Sequence, residues 1–296
     1  MLKAGRMSEQ VKIVECPRDA WQGLPVQIAP EVKASYLRKL VDTGFSHIDA
    51  VSFVSPLAVP QMADSERVLE LLGPQKDIEI IAIVVNEKGA ERAIRTEAVH
   101  TLGFPYSISA EFLRRNQHQT MQESLSVLRG VLALSAPARL NVVAYLSMAF
   151  GNPYDDPWSV NAVLDACTTL AEAGVLQLSL ADTVGLASPE QIGETVAAVR
   201  QVLSGVEFGV HLHARHDEAE SRIRAAYHAG CRRFDSAIGG LGGCPFAQDQ
   251  LVGNLPTETL LSVLAECGAT VPEFAQLDEI VGLSARIAAS HETPVR

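Results

Sequence analysis

The feature that most constrains this chain is a beat. An apolar, β-branched run is followed by a polar stretch and then by a segment of helical periodicity, and this repeats from end to end. Residues 11–16 (VKIVEC), 46–53 (SHIDAVSF), 78–85 (IEIIAIVV), 98–104 (AVHTLGF), 139–150 (RLNVVAYLSMAF), 175–182 (VLQLSLAD), 207–214 (EFGVHLHA) and 232–240 (RRFDSAIGG) read as eight strands. Near-continuous apolar runs are what parallel strands covered by helices require. Between them lie amphipathic segments. In residues 29–44, Val32, Tyr36, Leu37, Leu40 and Val41 share one face and Gly44 ends it. Ser188 is placed to cap the helix that Pro189 opens. Eight βα units at a period of about 30 residues predict an α/β fold, a (β/α)8 TIM barrel. A doubly wound open sheet would call for a glycine-rich phosphate turn after the first strand, and CPRDAWQG is not one.

This gives an expected organisation. Residues 1–10 form a loose N-terminal tail, residues 11–268 a catalytic barrel, and residues 269–296 a C-terminal helix and tail packed on the barrel or on a partner subunit. Composition sets the outer limits. The net charge of −11, with no basic stripe, argues against a nucleic-acid partner. Five scattered cysteines without a CxxC pair argue against a disulfide framework and for a reducing cytoplasm. The first residues carry no apolar signal core, and no apolar run is long enough to span a membrane.

Barrel chemistry sits at the C-terminal ends of the strands. Arg18 and Asp19 end strand 1, Asp49 and Ser52 lie on strand 2, Asp182 ends strand 6, His211 and His213 end strand 7, and Asp235 ends strand 8. Groups this polar are costly to bury without partners. On a strand, residues two apart face the same way, so His211 and His213 can converge on one ion. Taken alone, an H-x-H pair reads first as an ordinary hydrogen-bonded pair. Asp19, near strand 7 or 8 across a closed barrel, adds the anionic oxygen that a divalent cation would need. His216 lies beyond the strand. The stretch GGLGGCP (239–245) is either a loop with a passive thiol or a mobile segment that brings Cys244 to the reaction centre. Arg18 is either one half of an ion pair with Asp49 or Asp19, or a fixed cation for a developing oxyanion, or both. Asp182 is catalytic or simply part of a turn.

VKIVECPRD, SFVSPLAVPQMAD (52–64), SLADTVG (179–185), GVHLH (209–213), GGLGGCPFA (239–247) and GNLPTE (253–258) together resemble the hydroxymethylglutaryl-CoA lyase family of metal-dependent barrel enzymes. The resemblance covers nearly the whole chain. It implies Mg2+ or Mn2+ held by Asp19, His211, His213 and Asn254. It also implies that Arg18 polarises a thioester carbonyl and that Cys244 takes part in proton transfer. Asp49, Asp182, Gln22, Trp21, Asn116 and Glu258 fall at or near the implied site. The implied substrate is a small-molecule acyl-CoA, by default hydroxymethylglutaryl-CoA, cleaved to acetyl-CoA and acetoacetate. The implied assembly is a homodimer or larger homo-oligomer. Departures cluster at the mouth. Asp49 stands where the family usually has Glu, with its contact to Arg18 expected to be lost or bridged by water. Ala20 and Trp21 replace Gly-Leu, with Trp21 expected to crowd the metal ligand and reshape the pocket. Ala214 replaces Asp, and Asn152 stands where Cys is frequent. Rival readings are a Claisen-type acyltransferase or aldolase of the same barrel group, and a non-catalytic metal-binding barrel.

Overall fold

The structure, a computed structural model, describes residues 10–242 and 252–291. Eight parallel strands close into a barrel in sequence order: β1 (Lys12–Glu15), β2 (His47–Ser52), β3 (Glu79–Ile83), β4 (Thr101–Ser107), β5 (Asn141–Ser147), β6 (Gln177–Asp182), β7 (Glu207–Leu212) and β8 (Arg233–Ser236). β8 returns to pair with β1, setting Lys12 beside Arg233 and Val14 beside Asp235. The apolar strand faces turned outward are covered by α2 (Pro30–Thr43), α3 (Ser65–Leu72), α4 (Glu87–Arg95), α6 (Met121–Ala138), α7 (Val160–Glu172), α8 (Pro189–Val202), α9 (Ala219–Ala229) and α10 (Thr257–Glu266). The expected (β/α)8 barrel is the fold observed.

Local sequence explains the helix ends. Ser188 caps α8 by accepting from the Gln191 amide, and Gln191 returns the bond to the Ser188 amide. Gly44 ends α2 in the left-handed region at φ 112°, open to glycine without strain.

Three elements differ from expectation. Arg18 and Asp19 do not end a strand; they lie on a short helix, α1 (Pro17–Gln22), opened by Pro17. The fourth strand starts later than residue 98 and runs through Pro105, which pairs with Tyr145. A second unanticipated helix, α5 (Ala110–Asn116), follows it and is capped by Ser109. The C-terminal α11 (Leu277–His291) packs on α2 and on the turn Ile238–Gly240 of its own barrel. Just before it, Phe274 stacks on Phe45 at 4.0 Å between ring centres. Residues 1–9, almost all of the expected tail, and residues 292–296 lie outside the described residues. Among the described residues no helix is long and apolar enough to cross a membrane.

Candidate active site

Asp19, His211 and His213 meet at the C-terminal mouth of the barrel. β7 carries His211 as its next-to-last residue, and a bridge between His213 and Asn254 holds the next residue of that face. Asp19 Oδ2 lies 4.0 Å from His211 Nε2 and 3.5 Å from His213 Nε2. Each imidazole is oriented from behind. His213 Nδ1 lies 3.0 Å from the Thr183 carbonyl, an acceptor only, so Nδ1 carries the proton. His211 Nδ1 lies 3.3 Å from Asp235 Oδ2. Both Nε2 lone pairs are therefore turned toward a carboxylate oxygen. His213 Nε2 is buried and has no hydrogen-bond partner among the described residues. Acceptors facing acceptors in a buried site call for a cation between them. Burial resists charge on His211, yet Asp235 and Asp19 outweigh it and raise its pKa. Burial likewise works to raise Asp19, but Arg18 and the two imidazoles hold it well below the usual carboxylate range.

Two nitrogens and one carboxylate within 4.8 Å of one another form a donor set that fits a divalent metal ion. Asn254 joins them: its Nδ2 donates to Asp19 Oδ2 and to the Leu241 carbonyl, each at 2.8 Å, which leaves Oδ1 as the atom a cation could take. The backbone at Gly242 passes directly over Asp19. Its φ is 96°, and a Cβ there would lie 2.7 Å from the Asp19 carbonyl oxygen, so this close approach requires glycine.

Beside the cluster, Arg18 is fixed by four acceptor contacts. Nε donates to Asp49 Oδ1 at 3.1 Å and Nη2 to Asp49 Oδ2, while Nη1 donates to Asp19 Oδ1 at 2.8 Å and to Gln22 Oε1 at 3.0 Å. Gln22 closes the triangle by donating to Asp19 Oδ1 at 2.7 Å. Arg18 and Gln22 meet because they are four apart on α1. Burial opposes the guanidinium charge, and the two carboxylates more than restore it. Arg18, Asp19, Gln22, His211 and His213 line a cavity of about 310 Å3 that opens at the mouth. Asn116 lines its far side and donates to the Phe112 carbonyl.

Residues 10–287 match the HMGL-like family. A hydroxymethylglutaryl-CoA lyase of Bacillus subtilis is 33% identical over 250 residues, 84% of this chain and 83% of that one. The mitochondrial hydroxymethylglutaryl-CoA lyase of Mus musculus is 34% identical over 265 residues, 89% of this chain and 81% of that one. The chain belongs to the HMGL-like family. The structure of an HMG-CoA lyase from Acinetobacter baumannii in complex with coenzyme A and 3-methylmalate superposes with a TM-score of 0.88. It is 31% identical, covering 97% of this chain and 93% of that one. As an HMGL-like protein the chain is a carbon–carbon lyase, of a family generally dependent on a divalent metal.

Several residues expected at the site of this HMGL-like lyase are placed elsewhere. Trp21 does not crowd the mouth: it is buried in the core and meets Tyr36 edge-on at 5.4 Å, on the side of α1 away from the cavity. Asp182 does not line the cavity; Oδ1 accepts from the Leu186 amide, and Oδ2 from the Ala187 amide and Arg222. It ties down the loop whose Thr183 carbonyl orients His213. Glu258 accepts from the Gly239 amide at 3.1 Å and is likewise absent from the described cavity wall. Asp49 keeps its contact with Arg18, directly and through both oxygens, so the expected loss or water bridge is not observed. Ala214 is buried with its amide bonded to the Gly253 carbonyl, and Asn152 closes a turn onto Tyr154 and Asp156. His216 is exposed, as expected of a loop residue. Cys244 lies outside the described residues. Asp235 stands out in the sequence as a polar strand end, but its place behind His211 does not, and neither do the supports from the Thr183 carbonyl and Arg222. Arg222 donates to Asp182 and to the His213 carbonyl from α9, a helix whose sequence carries no sign of that reach.

Proposed function

We propose that this lyase cleaves a 3-hydroxyacyl-CoA by a retro-Claisen route, with hydroxymethylglutaryl-CoA as the default substrate. The observation that carries this is the convergence of Asp19, His211 and His213 beside the fixed guanidinium of Arg18 at the floor of one cavity. Asp19, His211, His213 and Asn254 would hold the metal. Bound there, Mg2+ or Mn2+ would supply Lewis-acid chemistry that eases loss of the substrate's hydroxyl proton.

The residues of the chain account for the rest. The C3 hydroxyl gives up its proton to water, and as it becomes a carbonyl the C2–C3 bond breaks and its electron pair passes to the thioester half as an enolate. Arg18, already charged and held on three sides, places a donor at that developing oxygen without reorganising. Asp49 and Gln22 keep the guanidinium plane fixed. Protonation at C2 gives acetyl-CoA, with Cys244 as the proposed proton donor. The other product is a β-keto acid, acetoacetate for the default substrate. The Acinetobacter relative's complex with coenzyme A and 3-methylmalate supports a site for a CoA moiety and a small branched hydroxy acid.

One observation favours a second substrate. Val54, Val59, Ile83, Val85 and Phe112 add apolar surface to the cavity lining. A lining of this kind suits a C3 branch bulkier than methyl. The test is acetyl-CoA release from hydroxymethylglutaryl-CoA and from analogues with longer alkyl or aryl branches, with Mg2+ or Mn2+ present. A higher kcat/KM for the bulky analogues selects the second substrate. Inertness toward every 3-hydroxyacyl-CoA rejects the proposed reaction.

A further inference from the structure

Below the cluster, the barrel interior holds charged groups that the site does not use. Interior layers of such barrels are mostly branched apolar side chains, and Val14, Ile81 and Val143 follow that rule here. β8 breaks it by burying both Arg233 and Asp235. β7 makes the room: a Cβ at Gly209 would lie 2.6 Å from the Arg233 carbonyl oxygen and 2.7 Å from its Cγ. Arg233 Nη2 lies 3.3 Å from Asp235 Oδ1, and Nε lies 3.5 Å from Glu207 Oε1. Glu207 also meets Lys12 at 3.1 Å, and Lys12 meets Glu79 at 2.9 Å. Asp235 turns its other oxygen upward. Oδ2 accepts from Ser179 Oγ at 3.0 Å and faces His211 Nδ1 at 3.3 Å. β6 does not neighbour β8 in the sheet, so the bond to Ser179 crosses the interior. A column of charge thus rises from Lys12, Glu79 and Glu207, through Arg233 and Asp235, to His211.

We propose that Arg233, acting through Asp235, is a positioning residue that keeps His211 Nε2 aimed at the metal site; this rests on reading the Asp19, His211 and His213 cluster as that site. The Asp235 carboxylate is hydrogen-bonded only at its upper oxygen, which accepts from Ser179 and faces His211, while Oδ1 has no hydrogen bond among the described residues and is held toward Arg233 by charge alone. Its upper oxygen then accepts the Nδ1 proton of His211 and leaves Nε2 bare. Without Arg233, the buried carboxylate loses the permanent positive charge beside its lower oxygen. It shifts toward other donors, and the His211 ring is free to turn or to carry its proton on Nε2. Support of a metal-ligating histidine from behind in this way is worth roughly 10–100-fold in metal affinity.

The test uses the full-length chain with Arg233→Met, which keeps the bulk and removes the charge, and Arg233→Lys, which restores a charge. Two properties are read without substrate: the Mn2+ dissociation constant by calorimetry, and the His211 tautomer from ring 15N shifts, assigned with a His211→Gln variant. Wild type is expected to carry its proton on Nδ1. Arg233→Met is expected to weaken Mn2+ by roughly tenfold or more and to mix the tautomers. Its unfolding midpoint should stay level or rise, because apolar replacement of a buried ion pair is frequently neutral or stabilising. Arg233→Lys should recover most of the affinity. If Arg233→Met does not fold, Arg233→Gln takes its place. Wild-type Mn2+ affinity and wild-type tautomer in a folded Arg233→Met or Arg233→Gln protein would overturn the proposal. If the wild-type protein itself binds no Mn2+, the metal reading fails instead, and the tautomer in metal-free protein still decides the role of Arg233.

Discussion

Lengthening Asp49 by one methylene tests whether the mouth is built around the shorter carboxylate. If Asp49 filled a glutamate's place imperfectly, Asp49→Glu would raise activity. The observed contacts predict the reverse. Asp49 is wholly buried on β2, and both of its oxygens are taken by Arg18, through Nε at 3.1 Å and through Nη2. One more carbon–carbon bond adds about 1.5 Å. Forcing it into a filled interior costs roughly 1–3 kcal/mol, or it pushes the guanidinium toward Asp19 by about 1 Å, a displacement worth on the order of 100-fold in rate. The assay is kcat/KM for acetyl-CoA release at saturating metal, run beside urea unfolding. The expected result is a loss of roughly ten- to a hundredfold in kcat/KM, with a lower unfolding midpoint. An Asp49→Glu enzyme as fast as wild type, or faster, and no less stable would refute the argument that the bidentate pair is already complete.

Three further outcomes follow from the contacts. Trp21→Ala should cost roughly 3–5 kcal/mol of stability by denaturant unfolding, with the substrate preference of the folded fraction unchanged, because Trp21 packs on Tyr36 and not on the cavity. A changed preference would return Trp21 to the pocket wall. Burial pushes the Glu15 carboxyl up to about 8, against its bonds from Thr257 and the Ile238 amide. An acid whose folded pKa is raised binds more protons folded than unfolded, so its contribution falls as pH rises from its unfolded pKa to about 8. The slope is at most about 1.4 kcal/mol per pH unit. Glu15→Gln should flatten this decline between pH 5 and pH 8 in urea unfolding, and an unchanged slope would contradict the assignment. Chelator treatment should abolish acetyl-CoA release, and Mg2+ or Mn2+ should restore it; activity that survives complete metal removal contradicts the role given to the cluster.

The barrel was legible because burial on both faces forces parallel strands into apolar runs that stand out between helices. Local chemistry obscured the exceptions. In β4, Gly103 and Pro105 interrupt the apolar signal, so the sequence pattern begins the strand too early. α1 is six residues long and too short to show a helical period, so in the sequence Arg18 and Asp19 read as the end of a strand. The metal-facing residues were visible as polar groups at strand ends, and His211 and His213 by their spacing. What lies behind them was not. The support for His213 is a backbone carbonyl, which has no residue type to recognise. Arg233 sits in an RRFD stretch that reads as a small surface basic cluster, and only the closed barrel turns that side chain inward beside Gly209. Trp21 was misplaced for the opposite reason. On a helix, the residue two after Asp19 points away from it, whereas on a strand it would share its face.

The central claim is that Asp19, His211 and His213 hold one divalent cation on which carbon–carbon cleavage depends. The most direct measurement titrates chelator-treated enzyme with Mn2+ while following acetyl-CoA release from hydroxymethylglutaryl-CoA and its bulkier analogues. The expected result is no release at the start, a rise that saturates at one Mn2+ per chain, and equal amounts of acetyl-CoA and β-keto acid. Release that needs no added metal, or a fully loaded enzyme that cleaves none of these thioesters, would contradict it.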